Sequence, residues 1–83
     1  MSKELLLDTR ELEAPEPMGL VLKNLHKLDD TFYIKMVHRI EPLMLYVHLE
    51  ANQLHYKTIK EDEEIIIFIW TDGFTDKTLF EDL

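Results

Sequence analysis

The order of apolar and polar residues in the first third of the chain predicts a strand followed by a helix. Leu5–Asp8 is a short apolar run typical of a buried strand, and the polar stretch Thr9–Glu16 follows it as a turn. Apolar residues then recur at the three- and four-residue spacing of a helix, at Met18, Val21, Leu22, Leu25 and Leu28. The opposite, polar side of this predicted helix carries Lys23, Asn24 and Lys27.

The rest of the chain predicts a strand, a second helix and a hairpin. Residues 31–38 alternate and are rich in β-branched and aromatic side chains, as strands are. A helix is expected from about Pro42 to Asn52. Its core-facing stripe consists of Leu45, Tyr46 and Leu49. Two strands, Gln53–Lys60 and Glu63–Trp70, are joined by a charged turn, and the second strand is apolar on both faces, which indicates a central position.

The predicted order of elements is β-α-β-α-β-β. Two crossovers followed by a hairpin give an α/β (α+β) two-layer sandwich, in which a four-stranded mixed sheet has both helices on one face. We expect one domain over residues 1–70 and a C-terminal tail over residues 71–83. The tail carries four large apolar residues among acids, so it packs on the uncovered sheet face, contacts a partner chain or is flexible.

Length and composition narrow the class of protein. A chain of 83 residues is enough for one small domain, and 46% hydrophobic with 31% charged residues is typical of a globular protein. The chain has no cysteine, which excludes disulfides, thiolate metal sites and thiol catalysis. No signal peptide or long apolar span is visible, so we expect a cytoplasmic location.

The net charge is −8 and is unevenly distributed along the chain. Residues 1–40 hold six Lys/Arg against seven Asp/Glu, while residues 41–83 hold three against ten. An acidic chain repels nucleic-acid phosphates and anionic membranes, and no basic stripe with interleaved aromatic residues is present. We therefore expect neither nucleic acid nor a membrane as a partner.

The first turn resembles a known motif. The segment LDTRELEAPEP at residues 7–17 is similar to the start of the SirA/TusA-like sulfur-carrier superfamily, whose members share the β-α-β-α-β-β sandwich and a Cys-Pro-x-Pro motif at the first helix. The residues that match this pattern are Asp8, Arg10, Leu12, Pro15 and Pro17. The resemblance covers about residues 5–70, but Ala14 stands where the sulfur-carrying cysteine belongs. The persulfide carrier function therefore does not transfer.

A second segment, HRIEPLMLY at residues 38–46, resembles a cysteine-less branch of that superfamily. This branch is a group of uncharacterised conserved domains with an EPPEP-like turn and a D/H-R-E-P-x-x-L-Y segment. The matching residues are His38, Arg39, Glu41, Pro42, Leu45 and Tyr46. The resemblance implies a non-catalytic binding or interaction domain, linked by analogy to sulfur or redox metabolism, and it offers no reaction.

A ligand site is predicted where the turns after the first two strands meet, because open α/β sheets usually bind ligands at the carboxyl ends of their strands. The candidate residues are Arg10, Glu16, His38, Arg39 and Glu41. Two arginines and two helix N-termini would favour a carboxylate or phosphate, on a small molecule or alone. The alternative is structural: Arg10–Glu41 and Arg39–Glu16 ion pairs hold the turns, and Asp8 caps backbone N–H groups.

The second predicted helix also suggests an interface, because it is apolar nearly all round at its start. The residues off its core stripe are Leu43, Met44, Val47 and Ala51. A contiguous apolar patch of this kind usually marks a contact with a second copy or another protein partner, and Met suits adaptable surfaces. The alternative is that Leu43 and Met44 pack beside the turn and only Val47 is exposed.

Metal binding and catalysis find little support in the sequence. His38 and Glu41 have an H-x-x-E spacing, but it spans a turn, and no further histidine completes a ligand set. No Ser or Thr has His and acid partners at a recognisable spacing. We therefore expect no metal, no other cofactor and no catalytic residue.

Overall fold

The computed structural model describes residues 2–83, so residue 1, with which the predicted domain begins, lies outside the described part. In chain order the elements are β1 (Lys3–Asp8), α1 (Glu16–Asn24), a 3-10 turn (Leu25–Lys27), β2 (Phe32–His38), α2 (Leu43–Ala51), β3 (His55–Glu61), β4 (Glu64–Trp70) and a second 3-10 turn (Lys77–Phe80). The strands pair in the order β1-β2-β4-β3. β1 and β2 are parallel, and β4 is antiparallel to both β2 and β3. The predicted α+β fold with a four-stranded mixed sheet and two helices is confirmed.

The observed ends of the elements differ from the predicted ends for local reasons. β1 begins at Lys3 rather than Leu5, because the N–H of Lys3 already donates to the Thr31 carbonyl at 2.7 Å. β3 begins at His55 rather than Gln53, because Gln53 has a φ of 57°, a left-handed conformation that ends the α2 connection and does not fit a strand.

One aliphatic core lies between the two helices and the sheet. Its buried members are Leu7, Val21, Ile34, Met36, Leu45, Leu49, Ile67 and Ile69. Leu45 and Leu49 of the predicted α2 stripe are buried, and Tyr46 is partly buried. Asn24 was expected on the polar side of α1 but is buried, and its amide group donates to the Leu20 carbonyl at 2.8 Å. That bond satisfies the buried polar group, which would otherwise be costly.

The opposite face of the sheet is covered at one end by the residues that follow β4. Phe74 and Phe80 are buried there among aromatic rings. Phe80 stacks on Trp70 with ring centroids 4.1 Å apart, and it meets Tyr33 edge to face at 5.3 Å. Residues 71–83 therefore pack on the sheet through two aromatic anchors, since aromatic pairs at these separations are favourable.

Candidate functional site

The turns after β1 and β2 meet at the carboxyl edge of the sheet and enclose a cleft of about 660 Å³ between the N-terminal ends of α1 and α2. We call it the carboxyl-edge cleft. Its lining comprises Leu12, Glu13, Ala14, Pro15, Pro17 and Met18 from the first turn and helix, and residues 38–45 from the second. Ala14 is thus part of this cleft. Three of the five predicted ligand-site residues line it, namely His38, Arg39 and Glu41.

His38 is the buried member of that group, with 8% of its surface exposed. Its Nδ1 lies 3.1 Å from both the hydroxyl and the carbonyl oxygen of Thr9. The Thr9 hydroxyl donates its own proton to the Val37 carbonyl at 2.9 Å, and a carbonyl oxygen can only accept. We therefore assign the proton of the neutral imidazole to Nδ1, which leaves Nε2 with a free lone pair.

The second ring nitrogen of His38, Nε2, has no hydrogen-bond partner among the described residues. Within residues 2–83, every fully buried side-chain nitrogen or oxygen has a hydrogen-bond partner. Because Nε2 has none, it is not fully buried. Nε2 is therefore accessible, and the surface that His38 lines is the carboxyl-edge cleft. A buried histidine held by one nitrogen and free at the other can accept a hydrogen bond or hold a proton there.

Arg39 and Glu41 have partners different from those predicted. An Arg39 Nη2 donates to the Leu12 carbonyl at 3.0 Å, so the guanidinium joins the two turns directly and does not form the predicted pair with Glu16. Glu41 lies 3.4 Å from the Lys60 ammonium and accepts a hydrogen bond from the Tyr46 hydroxyl. Glu41, which lines the cleft, is therefore paired with a cation and a hydroxyl from outside it.

Arg10 and Glu16 do not line the cleft. Arg10 bonds Asp8 at 2.7 Å and Glu64 at 2.6 Å, so the predicted Arg10–Glu41 pair is not formed. The cause is the strand order, because β4 lies beside β2 and brings Glu64 towards the first turn. Asp8 also accepts the backbone N–H of Arg10 at 3.2 Å, which is the capping role predicted for it. The side-chain hydrogen bond from Arg10 lowers the pKa of Asp8 to about 2. Glu16 is exposed at the start of α1.

The predicted interface residues on α2 are exposed. The exposed fractions are 65% for Leu43, 64% for Met44 and 59% for Val47, and Ile40 in the preceding turn is exposed to 66%. The alternative in which Leu43 and Met44 are packed away is therefore wrong. We call Ile40, Leu43, Met44 and Val47 the α2 patch. Because Ile40, Leu43 and Met44 also line the cleft, patch and cleft form one continuous surface.

Sequence reasoning missed two residues of this surface. Thr9, which is fully buried, orients His38, and the signal for it was a hydroxyl directly after a buried strand. Ile40 belongs to the α2 patch, and the signal was a large apolar residue between Arg39 and Glu41 in a predicted turn.

Across residues 2–83, no three His, Asp or Glu side chains come close enough to hold a metal ion. No helix in the described chain has both the length and the apolar character needed to cross a membrane.

Comparisons with models of known protein families, with curated proteins and with solved structures found no match. The likeness to SirA/TusA-like carriers therefore depends on the two sequence motifs at residues 7–17 and 38–46. The class that the fold and the site define is an α+β sandwich with a cleft between two helix N-termini, bordered by an exposed apolar patch.

Proposed function

We propose that the chain is a non-catalytic binding domain that works through the carboxyl-edge cleft and the α2 patch, and that a second copy of the chain binds the patch. The observation that carries this proposal is the exposure of four large apolar side chains in one continuous region. An exposed apolar patch of a few hundred Å² is at the upper end for a monomer and usually marks an interaction site.

The charge distribution around the patch supports self-association. The chain has a net charge of −8, which opposes contact between two copies over most of the surface. α2, however, carries only one acidic residue, Glu50, and no Lys or Arg in its sequence LMLYVHLEA. Two α2 helices related by a two-fold axis would therefore bury apolar side chains with little repulsion between like charges.

The resemblance to sulfur carriers supports a binding role without persulfide chemistry. In the motif that the chain resembles, Ala14 stands where the carriers have their cysteine, and it lines the cleft, so no thiol is present at this position. A link to sulfur or redox metabolism follows from the resemblance and is an analogy at the level of fold and motif. A cytoplasmic location, which agrees with a chain that has no cysteine, belongs to the same proposal.

The mass in solution, measured by light scattering from micromolar to millimolar concentration, tests self-association. We expect a dimer for the natural chain and a monomer for Val47→Glu, with the same circular dichroism spectrum for both. Leu6→Glu is the matched control, because Leu6 is similarly exposed, at 55%, on β1 and gains the same charge. A monomer in every sample, or a Leu6→Glu chain that dissociates as readily as Val47→Glu, would contradict the proposal.

A second candidate function is the binding of a small molecule or anion in the carboxyl-edge cleft. The specific observation in its favour is His38, a buried residue that lines the cleft and whose Nε2 is accessible and without a partner in residues 2–83. A concave site with apolar walls and a few fixed polar groups is the usual form of a small-molecule site. The test is whether any small ligand shifts the amide resonances of residues in the cleft.

A further inference from the structure

Both helices that border the cleft begin with a free backbone donor. The N–H of Met18 in α1 and the N–H of Met44 in α2 have no backbone or side-chain acceptor within residues 2–83. Neither helix has a side-chain hydrogen bond at its N-cap, and Pro17 contributes no N–H. Met18 and Met44 line the cleft, so two helix N-termini offer unpaired N–H groups and positive dipole ends to the same space.

His38 provides an independent indication of a ligand. The residue is more than nine-tenths buried and lines the cleft, Thr9 holds Nδ1, and Nε2 has no protein partner within residues 2–83. Because Nε2 is accessible but has no protein partner, a ligand in the cleft can bond it in place of water. Nε2 accepts a hydrogen bond when the ring is neutral and donates one when it is protonated, so it can share a single proton with a carboxyl group.

The walls and charges of the cleft narrow the chemistry of the ligand. Most of the lining is apolar, with Pro15, Pro42 and Leu43 among its members, which suits an apolar chain. Arg39 adds a cation whose remaining N–H groups are available beyond its single bond to Leu12. Glu13 opposes anions, as does the overall charge of −8. These negative charges favour a ligand with one negative charge over a phosphate dianion.

We propose that the carboxyl-edge cleft binds a monocarboxylate with an apolar chain. The carboxylate lies among the N–H groups of Met18 and Met44 and Nε2 of His38, and the chain extends over the apolar wall towards Leu43. This inference rests on the second candidate function, the binding of a small ligand in the cleft. It adds the chemical class of the ligand.

Amide NMR titrations of the whole chain with three probes test this inference. Octanoate carries both the charge and the chain, octanol carries the chain alone, and inorganic phosphate carries charge alone. We expect octanoate to shift the Met18 and Met44 amide resonances saturably, with a Kd lower by about tenfold or more than that of either other probe, since tenfold corresponds to about 1.4 kcal/mol. The same titration of Val47→Glu, a residue outside the cleft, separates ligand binding from self-association.

Two variants test the assigned site. His38→Ala removes Nε2 and is expected to raise the Kd for octanoate by about tenfold or more, whereas His26→Ala, an exposed residue of the 3-10 turn after α1, leaves it unchanged. Because a buried histidine also supports the fold, Ala14→Glu serves as a second variant. It adds a negative charge to the cleft without changing a buried group, and the same loss is expected.

The outcomes separate this inference from the function on which it rests. Equal affinity for octanol and octanoate would overturn the carboxylate class but leave ligand binding in the cleft intact. Octanoate affinity that survives both His38→Ala and Ala14→Glu would overturn the assigned site. If none of the three probes shifts the cleft amides at saturating concentration, the inference fails, whereas the second candidate function fails only if no other small ligand shifts them either.

Discussion

The two strand–turn–helix units of this protein have the same order of elements but expose different kinds of side chain to solvent. One unit consists of β1 and α1, the other of β2 and α2, and the two strands are parallel to each other. In each unit the N-terminus of the helix borders the same cleft. The exposed residues of α1 are Glu16, Gly19 and Lys23, whereas those of α2 are Leu43, Met44, Val47, Glu50 and Ala51. The first helix therefore exposes no large apolar side chain, whereas the second exposes three, and exposure of apolar surface to water is unfavourable. This difference supports the proposal that the second unit makes the contact with a second copy.

The turns of the two units are also held by different forces. In the first unit, Arg10 forms exposed ion pairs with Asp8 and Glu64, and exposed pairs contribute little to stability because water screens them. In the second unit, His38 is buried and is anchored on Thr9 by its Nδ1. Buried hydrogen bonds cost more to break, so the second turn is expected to be the more rigid side of the cleft.

The largest expected effect tests whether α2, despite its exposed side, is as necessary to the core as α1. Leu49 is fully buried, and we expect Leu49→Ala to lower the free energy of unfolding by about 2–5 kcal/mol. Val21→Ala, the buried counterpart in α1, removes fewer carbon atoms and should cost less, at about 0.8 kcal/mol per lost methylene plus a cavity contribution. Urea unfolding measures both. A cost below that of Val21→Ala would show that α2 is only loosely attached.

The next effect concerns the anchor of the second turn. Thr9→Val keeps the shape of the side chain but removes the hydroxyl that bonds Val37 and His38, so we expect a loss of about 1 kcal/mol. Thr75→Val is the control, because the Thr75 hydroxyl also bonds a carbonyl, that of Asp30, but is exposed. Thermal unfolding of both variants, followed by circular dichroism, compares them. An equal shift for the two would remove the distinction between a buried and an exposed anchor.

A smaller effect, of opposite sign, is expected in α1. Gly19 lies inside this helix, is exposed, and has open space where a Cβ would stand. Gly19→Ala should therefore raise the free energy of unfolding by about 0.5–1 kcal/mol, because alanine is a better helix former than glycine. Gly73→Ala, which has equal space but lies in a turn, should not show this gain. A loss of stability in Gly19→Ala would mean that this side of α1 is in contact and not hydrated.

The smallest effect is the acid response of the first turn. The pKa of Asp8 is lowered from 3.8 to about 2 in the folded chain by its bonds to Arg10. Its contribution is therefore fully present above the unfolded pKa and is lost as the pH falls from about 4 to about 2. The difference in unfolding free energy between the natural chain and Asp8→Asn should shrink across this window. Parallel pH curves for the two proteins would show that the ion pair does not contribute.

Local patterns were sufficient to predict the order of elements and much of the core. The spacing of Val21, Leu45 and Leu49 follows the helical period, and that period decides which side of a helix is buried. The alternation in residues 31–38 and the apolar run in β4 likewise predicted strands. The parallel arrangement of β1 and β2 then placed the two turns at one edge, where the cleft lies.

Short-range patterns therefore predict the elements, their order along the chain and much of the buried stripe of each helix, because these features depend on neighbours a few residues apart. The contact of Arg10 with Glu64 instead of Glu41 follows from the tertiary structure, since it depends on β4 pairing beside β2. The tertiary structure also buries His38, because its partner Thr9 lies in another turn, 29 positions away in the chain. Side-chain partners across such separations are selected by packing, and no local periodicity encodes them.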